Sequence, residues 1–180
     1  MPPIPDRDIA TLMIPDTGDF PGNADLPLVL YTNVLAATNH DDFEALFLSN
    51  GWSGTWRNGI FPYHHYHSTA HEAIGIARGT VRVQFGGEGG PEFALNTGDA
   101  VVIPAGVAHR NLESSDDYLV VGAYPGGEVW DVHTGIEGER PRSDSNISLV
   151  QLPTGDPVAG NDGPLMVLWG LRTEEAGGRR

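Results

Sequence analysis

The chain has 180 residues, which suits one domain, and its 24 acidic residues against 10 Lys and Arg give a formal net charge of −14. This acidic balance, with no basic patch to offset it, excludes an electrostatic surface for nucleic acid or anionic membranes. The absence of cysteine excludes disulfides, thiolate metal sites and cysteine nucleophiles. Because no signal pattern or membrane-length apolar run is present either, we expect a cytoplasmic protein that binds neither nucleic acid nor membrane.

The N-terminal third predicts an arm, a strand and a helix. Residues 1–27 are rich in proline and acidic residues, and proline blocks helix formation, so this stretch predicts an extended arm. Residues 28–31 are a short strand candidate. Asn39 is a plausible N-cap, and Gly51 a plausible stop, for the only helix that the sequence predicts. Its apolar side chains share one helical face: Phe43, Leu46 and Phe47.

From residue 61 to about residue 124 the apolar pattern has a period of two. Short strands separated by Gly- and Pro-containing turns predict an all-β sandwich or jelly roll. The glycine-rich stretch 86–90 fits a hairpin loop, since it lacks the Lys-Ser/Thr pair of a phosphate-binding loop. Two later apolar runs, 147–152 and 165–169, would add edge strands. We divide the chain into 1–58 (arm, strand and helix), 59–172 (barrel) and 173–180 (flexible tail).

Five of the seven histidines fall in two short segments of the chain. Residues two apart on a strand point to the same side, so His65 and His67 share a face with Tyr63, whereas His64 points away. Any single histidine is more often structural than a metal ligand. The clustering, however, is typical of a bound metal ion.

Two further residues extend this group. Glu72 shares its strand face with isoleucines, and His71 shares the opposite face with small residues, so a barrel interior favours an inward Glu72. A carboxylate among isoleucines needs a cation or another partner. His71 is then an outer-face or supporting residue, with the alternative that it replaces Glu72 as a ligand. His109 follows a Pro-Ala-Gly turn and is a fourth candidate.

These residues resemble the two motifs of the cupin superfamily. The first motif is matched by Gly59-x5-His65-x-His67-x4-Glu72-x6-Gly79, and the second by Gly98-x5-Pro104-x-Gly106-x2-His109. Glu113 stands where the second motif usually has asparagine. The wider stretches from Trp56 to Glu72, 122–125 and 156–158 resemble the small cupins called YjlB-like.

The resemblance implies an all-β fold, a cupin double-stranded β-helix (jelly-roll) barrel with one N-terminal helix and an extended N-terminal arm. By position, the metal ligands would be His65, His67, Glu72 and His109. Three imidazoles and a carboxylate suit one divalent transition metal, namely Fe, Mn, Ni, Co, Cu or Zn, with positions left open for a substrate. Small cupins often pair through sheet edges and arms, so the resemblance also implies a homodimer.

Two side chains are candidates for a catalytic role beside the metal. Tyr63 shares the face of His65 and His67, and Glu113 would act as a base if it faced inward, although packing and rim positions explain them equally well. Three functions fit the ligand set. The first is a metal-dependent oxygenase (dioxygenase type) acting on a small organic molecule; the others are a non-redox isomerase, epimerase or lyase, and a metal or small-molecule binding protein.

Overall fold

A computed structural model describes residues 8–36 and 40–171. The predicted N-cap Asn39 and the predicted tail 173–180 lie outside these ranges. The elements are, in chain order, β1 (Ile9–Ile14), β2 (Asn23–Tyr31), α1 (His40–Ser49), β3 (Trp52–Asn58), β4 (Glu72–Arg78), β5 (Thr80–Phe85), β6 (Glu92–Asn96), β7 (Ala100–Ile103), β8 (His109–Ser114), β9 (Leu119–Pro125), α2 (Arg142–Leu149) and α3 (Pro164–Leu168).

The strands form two antiparallel sheets, as the period-two pattern predicts. The larger sheet has the order β1-β2-β7-β4-β9-β3, and the smaller has the order β6-β5-β8. Strand β4 lies inside the larger sheet and continues across a tight turn into β5 of the smaller one. The predicted jelly-roll class is therefore confirmed, and the described part of the arm contributes β1 and the start of β2 to the edge of the larger sheet.

Strand β4, in the interior of the larger sheet, is buried on both faces, and its composition shows why. Ile74 and Ile76 point toward the smaller sheet and join the apolar cluster between the sheets. Ala73 and Ala77 point to the opposite face, where helices α1 and α3 pack. At Gly75 an added Cβ would lie 2.3 Å from the ring of Phe43, so the small residues on this face let α1 approach closely.

The C-terminal quarter differs from the prediction. The runs 147–152 and 165–169 are not edge strands, because the first overlaps α2 and the second overlaps α3. Short apolar runs fit both periods, but Pro164 stands at the first turn of α3 and Gly170 follows it with a positive φ, which are helix boundary signals. In the described ranges no helix combines the length and the apolarity that a membrane crossing needs.

Candidate metal centre

The histidine segment 61–71 connects β3 to β4 and is held by single bridges rather than by a full strand ladder. His65 and His109 form such a bridge: the His109 N–H donates to the His65 carbonyl at 2.9 Å, and the His65 N–H donates to the His109 carbonyl at 3.2 Å. This pairing places the two imidazoles side by side, with ring centres 4.2 Å apart. The extended backbone of this segment is thus enough to point His65 and His67 to the same side, as predicted.

Three histidines converge at this point. A ligand nitrogen of each lies within 4.8 Å of the others, and all three are buried: His65, His67 and His109. Glu72, the first residue of β4, extends to the same place. Its Oε2 atom lies 3.2 Å from Nε2 of His67 and 3.3 Å from Nε2 of His109. Three residues from one short segment and the distant His109 therefore meet in one buried cluster.

The other ring nitrogen of each histidine faces a backbone carbonyl. Nδ1 of His65 lies 3.2 Å from the carbonyl of Tyr63, and Nδ1 of His109 lies 3.1 Å from that of Val107. Nδ1 of His67 likewise meets the carbonyl of Asp131 at short range. A carbonyl only accepts, so each Nδ1 carries its hydrogen, and whenever a ring is neutral its lone pair is on Nε2.

This arrangement fits a bound cation. Neutral imidazoles direct lone pairs from Nε2 toward the carboxylate of Glu72, which is also an acceptor. Acceptors that face one another in a buried site need a positive charge between them. Backbone carbonyls that fix the Nδ1–H of each ring are the usual outer support of histidine metal ligands. The donor set of nitrogen and oxygen suits a divalent transition metal.

The pKa shifts of His65, His67 and Glu72 also favour a positive charge in this cluster. Burial lowers the pKa of His65 to about 3, and the neighbouring His109 and His67 lower it further. Burial also opposes charge on His67, but the carboxylate of Glu72 outweighs it and the pKa of His67 is raised. Burial would raise the pKa of Glu72, yet His67 and His109 hold it far below its ordinary value. The cluster thus favours an ionised carboxylate with a positive charge beside it.

A cavity of about 210 Å³ opens above these four candidate ligands. Its walls are mainly apolar and aromatic, and residues from β3, β4, β9 and the segment after β9 contribute them. The lining residues are Trp56, Arg57, Asn58, Gly59, Ile60, Phe61, His65, His67, Glu72, Ile74, His109, Tyr124 and Trp130. Several of them, including Phe61 and Trp130, are partly exposed and mark the opening.

The two predicted catalytic side chains do not line this cavity. Tyr63 is 47% exposed and stacks on Phe61, which itself lines the cavity, so Tyr63 lies outside the opening. Glu113 is exposed in β8, opposite Arg82 of β5, and forms an ion pair with its guanidinium at 3.3 Å. The condition under which Glu113 would act as a base, an inward orientation, is therefore not met.

The neighbouring histidines of the cluster are kept apart from the ligands. His71 faces the other side of the sheet, where its ring meets Trp169 edge-on and its Nδ1 accepts the N–H of Ala105 at 2.9 Å. His64 packs against Phe20. Glu72, and not His71, therefore lies beside the three candidate histidine ligands.

Sequence reasoning missed two cavity residues and one supporting residue. Tyr124 lies in β9, one position beyond the Ala123 that pairs with Ala73, and its hydroxyl donates to Oε1 of Glu72 at 2.9 Å. Trp130 contacts His67 edge-on and stacks on Tyr124. The carboxylate of Asp131 accepts the N–H of Ser68 at 2.6 Å. Of these three residues, only Tyr124 could have been found from the sequence, because alternation along β9 places it on the inner face of the sheet.

Solved structures with a similar fold are distant from this chain. Acireductone dioxygenase from Bacillus anthracis, with a cadmium ion in its active centre, is 16% identical over 51% of this chain and 62% of that one, with a TM-score of 0.38. RmlC from Streptococcus suis, in complex with dTDP-D-xylose, is 13% identical over 93% of this chain and 96% of that one, with a TM-score of 0.36. At such values the similarity carries no information on substrate or reaction.

Sequence comparison is more direct. The Cupin domain family matches residues 56–121, the stretch that contains all four candidate ligands. "Uncharacterized protein YjlB" of Bacillus subtilis is 44% identical over 164 residues, which cover 91% of this chain and 98% of that protein. The two matches agree with both motifs. The chain therefore belongs to the cupin superfamily, in the group of small cupins related to YjlB.

Proposed function

We propose that this cupin is a metal-dependent oxygenase that acts on a small organic molecule. His65, His67, Glu72 and His109 would hold one divalent transition metal (Fe, Mn, Ni, Co, Cu or Zn). The observation that carries the proposal is the convergence of these acceptor atoms at one end of a cavity large enough for a small ligand. A bound metal of this kind supplies Lewis acidity and, where it is redox-active, the activation of dioxygen.

The cavity walls support a small, weakly charged substrate. Ile60, Ile74 and four aromatic rings provide most of the lining, so binding would come from apolar contact and ring stacking. Arg57 is the only Lys or Arg among the lining residues, and its guanidinium is engaged by Asp41 at 2.8 Å and by Glu44. The walls thus offer little to a phosphate or a nucleotide. A phenol, an enol or a diketone of modest size suits them better.

Two aromatic side chains shield the ligands from water. Trp130 meets the His67 ring edge-on with ring centres 5.5 Å apart, and Phe61 meets the His65 ring in the same way at 4.9 Å. Exclusion of water strengthens every electrostatic interaction within the site and protects reactive species from side reactions.

The supply of proton-transfer groups favours the oxygenase over a non-redox isomerase or lyase. Among the described residues that line the cavity, the titratable side chains are the four ligands, Tyr124 and Arg57. The hydroxyl of Tyr124 is bonded to Glu72, and Arg57 is paired with acids. Isomerisation or epimerisation needs a positioned acid or base. Oxygenation draws its reactivity from the metal and dioxygen.

The experiment combines metal reconstitution with oxygen consumption. Protein loaded in turn with Fe(II), Mn, Ni and Cu is mixed with catechol, gentisate and acetylacetone as a phenol and diketone panel, and dioxygen uptake is measured. We expect uptake with at least one pair, and its loss in His65→Ala. Conversion of the same compounds at an equal rate without dioxygen would instead establish the non-redox reaction.

Metal binding is expected to weaken as the pH falls. Because the pKa of His67 is raised by Glu72, His67 takes up a proton that the metal must displace as the pH falls. His65, with a pKa of about 3, stays neutral over the whole working range and releases no proton. The apparent affinity for Co(II) should therefore fall about tenfold per pH unit below the pKa of His67. A titration at several pH values measures this slope, and a flat profile down to pH values near 5 would contradict imidazole ligation.

A further inference from the structure

A chain of directed hydrogen bonds leads from the cavity wall to Glu72. The indole N–H of Trp56 donates to the hydroxyl oxygen of Tyr124 at 2.7 Å, and the Tyr124 hydroxyl lies 2.9 Å from Oε1 of Glu72. An indole nitrogen can only donate, so the Tyr124 oxygen accepts there and its own hydrogen is left for the carboxylate. The direction of both bonds is thus fixed by chemistry.

The two carboxylate oxygens of Glu72 consequently have different neighbours. Oε2 faces His67 and His109 at 3.2 and 3.3 Å, whereas Oε1 is held by Tyr124. Glu72 is only 2% exposed, so little bulk water reaches its carboxylate. Trp130 stacks on the Tyr124 ring with an angle of 21° between the planes, which fixes the orientation of the phenol.

We propose that Tyr124 is a positioning residue that restricts Glu72 to one-oxygen ligation through Oε2. This inference rests on the proposed metal site. A carboxylate can bind a metal through one or both oxygens. If Oε1 were free, it could bind the metal as well and would take a position that a substrate could use. By holding Oε1, Tyr124 would leave that position for a substrate, and Trp56 supports Tyr124 by fixing the hydroxyl.

The test uses Co(II) as a spectroscopic probe and azide as a small competing ligand. The variants are Tyr124→Phe, which removes only the hydroxyl, and Trp56→Phe, which removes the donor behind it. Tyr31→Phe is the matched control, because Tyr31 is also a buried phenol bonded to a carboxylate, that of Asp156 at 2.8 Å, and it does not line the cavity. Near-ultraviolet circular dichroism checks that each variant is folded.

We expect Tyr124→Phe to bind Co(II), to show an altered visible spectrum and to bind azide about tenfold more weakly or worse. Trp56→Phe should change both readings in the same direction by less, and Tyr31→Phe should match the wild type. If Tyr124→Phe does not fold, the shift in Trp56→Phe decides. Unchanged spectra and azide affinity in the folded variants would overturn this inference and leave the metal site standing. Failure of the wild type itself to bind Co(II) would overturn the proposed function and this inference together.

Discussion

Replacement of His109 by alanine is expected to abolish stable metal binding. His109 is the only ligand that comes from the smaller sheet, through β8, and its Nε2 lies 3.3 Å from Oε2 of Glu72. The variant loses one ligand and leaves the Glu72 carboxylate with one imidazole fewer beside it. Loss of an outer supporting residue already costs about 10- to 100-fold in metal affinity, so loss of a ligand should cost more than about 100-fold.

Elemental analysis and Co(II) titration measure this effect. The wild type should hold close to one ion per chain after reconstitution and dialysis, whereas His109→Ala should hold almost none. His40→Ala is the control, because His40 lies at the start of α1, outside the cavity lining. Metal should also raise the melting temperature of the wild type and of His40→Ala but not that of His109→Ala. Equal metal content in His109→Ala and the wild type would show that His109 is not a metal ligand.

The sequence predicts the convergence of the four candidate ligands because their positions depend on local geometry. His65 and His67 lie two residues apart in an extended segment, and alternation directs both to one side even without a full strand ladder. In β4 the choice between His71 and Glu72 follows from which face carries the bulky residues Ile74 and Ile76. Tight turns with Gly98 and Gly106 at positive φ fix the approach to His109. These constraints are all readable within a few residues.

The parts that the sequence does not predict depend on contacts between distant segments. The backbone carbonyl of Asp131 contacts Nδ1 of His67, and its carboxylate accepts the N–H of Ser68. Trp130 packs edge-on against His67. Asp131 and Trp130 both follow β9 in a stretch without apolar periodicity, so the sequence gives no sign of these contacts. Tyr124 has the correct parity, but its contact with Glu72 requires the register between β9 and β4. Tyr63 lies two residues before His65 and so points to the same side of the extended segment, yet it lies outside the cavity opening. Alternation along a strand predicts the side to which a residue points, but not how deeply it is buried.

Replacement of Asp156 by alanine is expected to cause the largest loss of stability outside the metal site. Asp156 is fully buried, and its carboxylate accepts the N–H groups of Val158 at 2.7 Å and of Leu165 at 3.0 Å. It also accepts the N–H of Ala159 and the hydroxyl of Tyr31. These bonds attach the C-terminal segment and the start of α3 to β2. Alanine leaves the donors buried without an acceptor, each of which costs about 1–3 kcal/mol.

Denaturant unfolding of the metal-free protein measures the difference. We expect Asp156→Ala to lower the free energy of unfolding by about 3–5 kcal/mol, because several buried donors lose their acceptor at once. Tyr31→Phe removes a single bond of the same network and should cost about 1 kcal/mol. Asp156→Asn keeps the shape and part of the acceptor capacity, so it should fall between them. If Asp156→Ala cost no more than Tyr31→Phe, the buried carboxylate would not be what holds the C-terminal segment on β2, and packing of Leu165 and Trp169 in the core would account for the attachment instead.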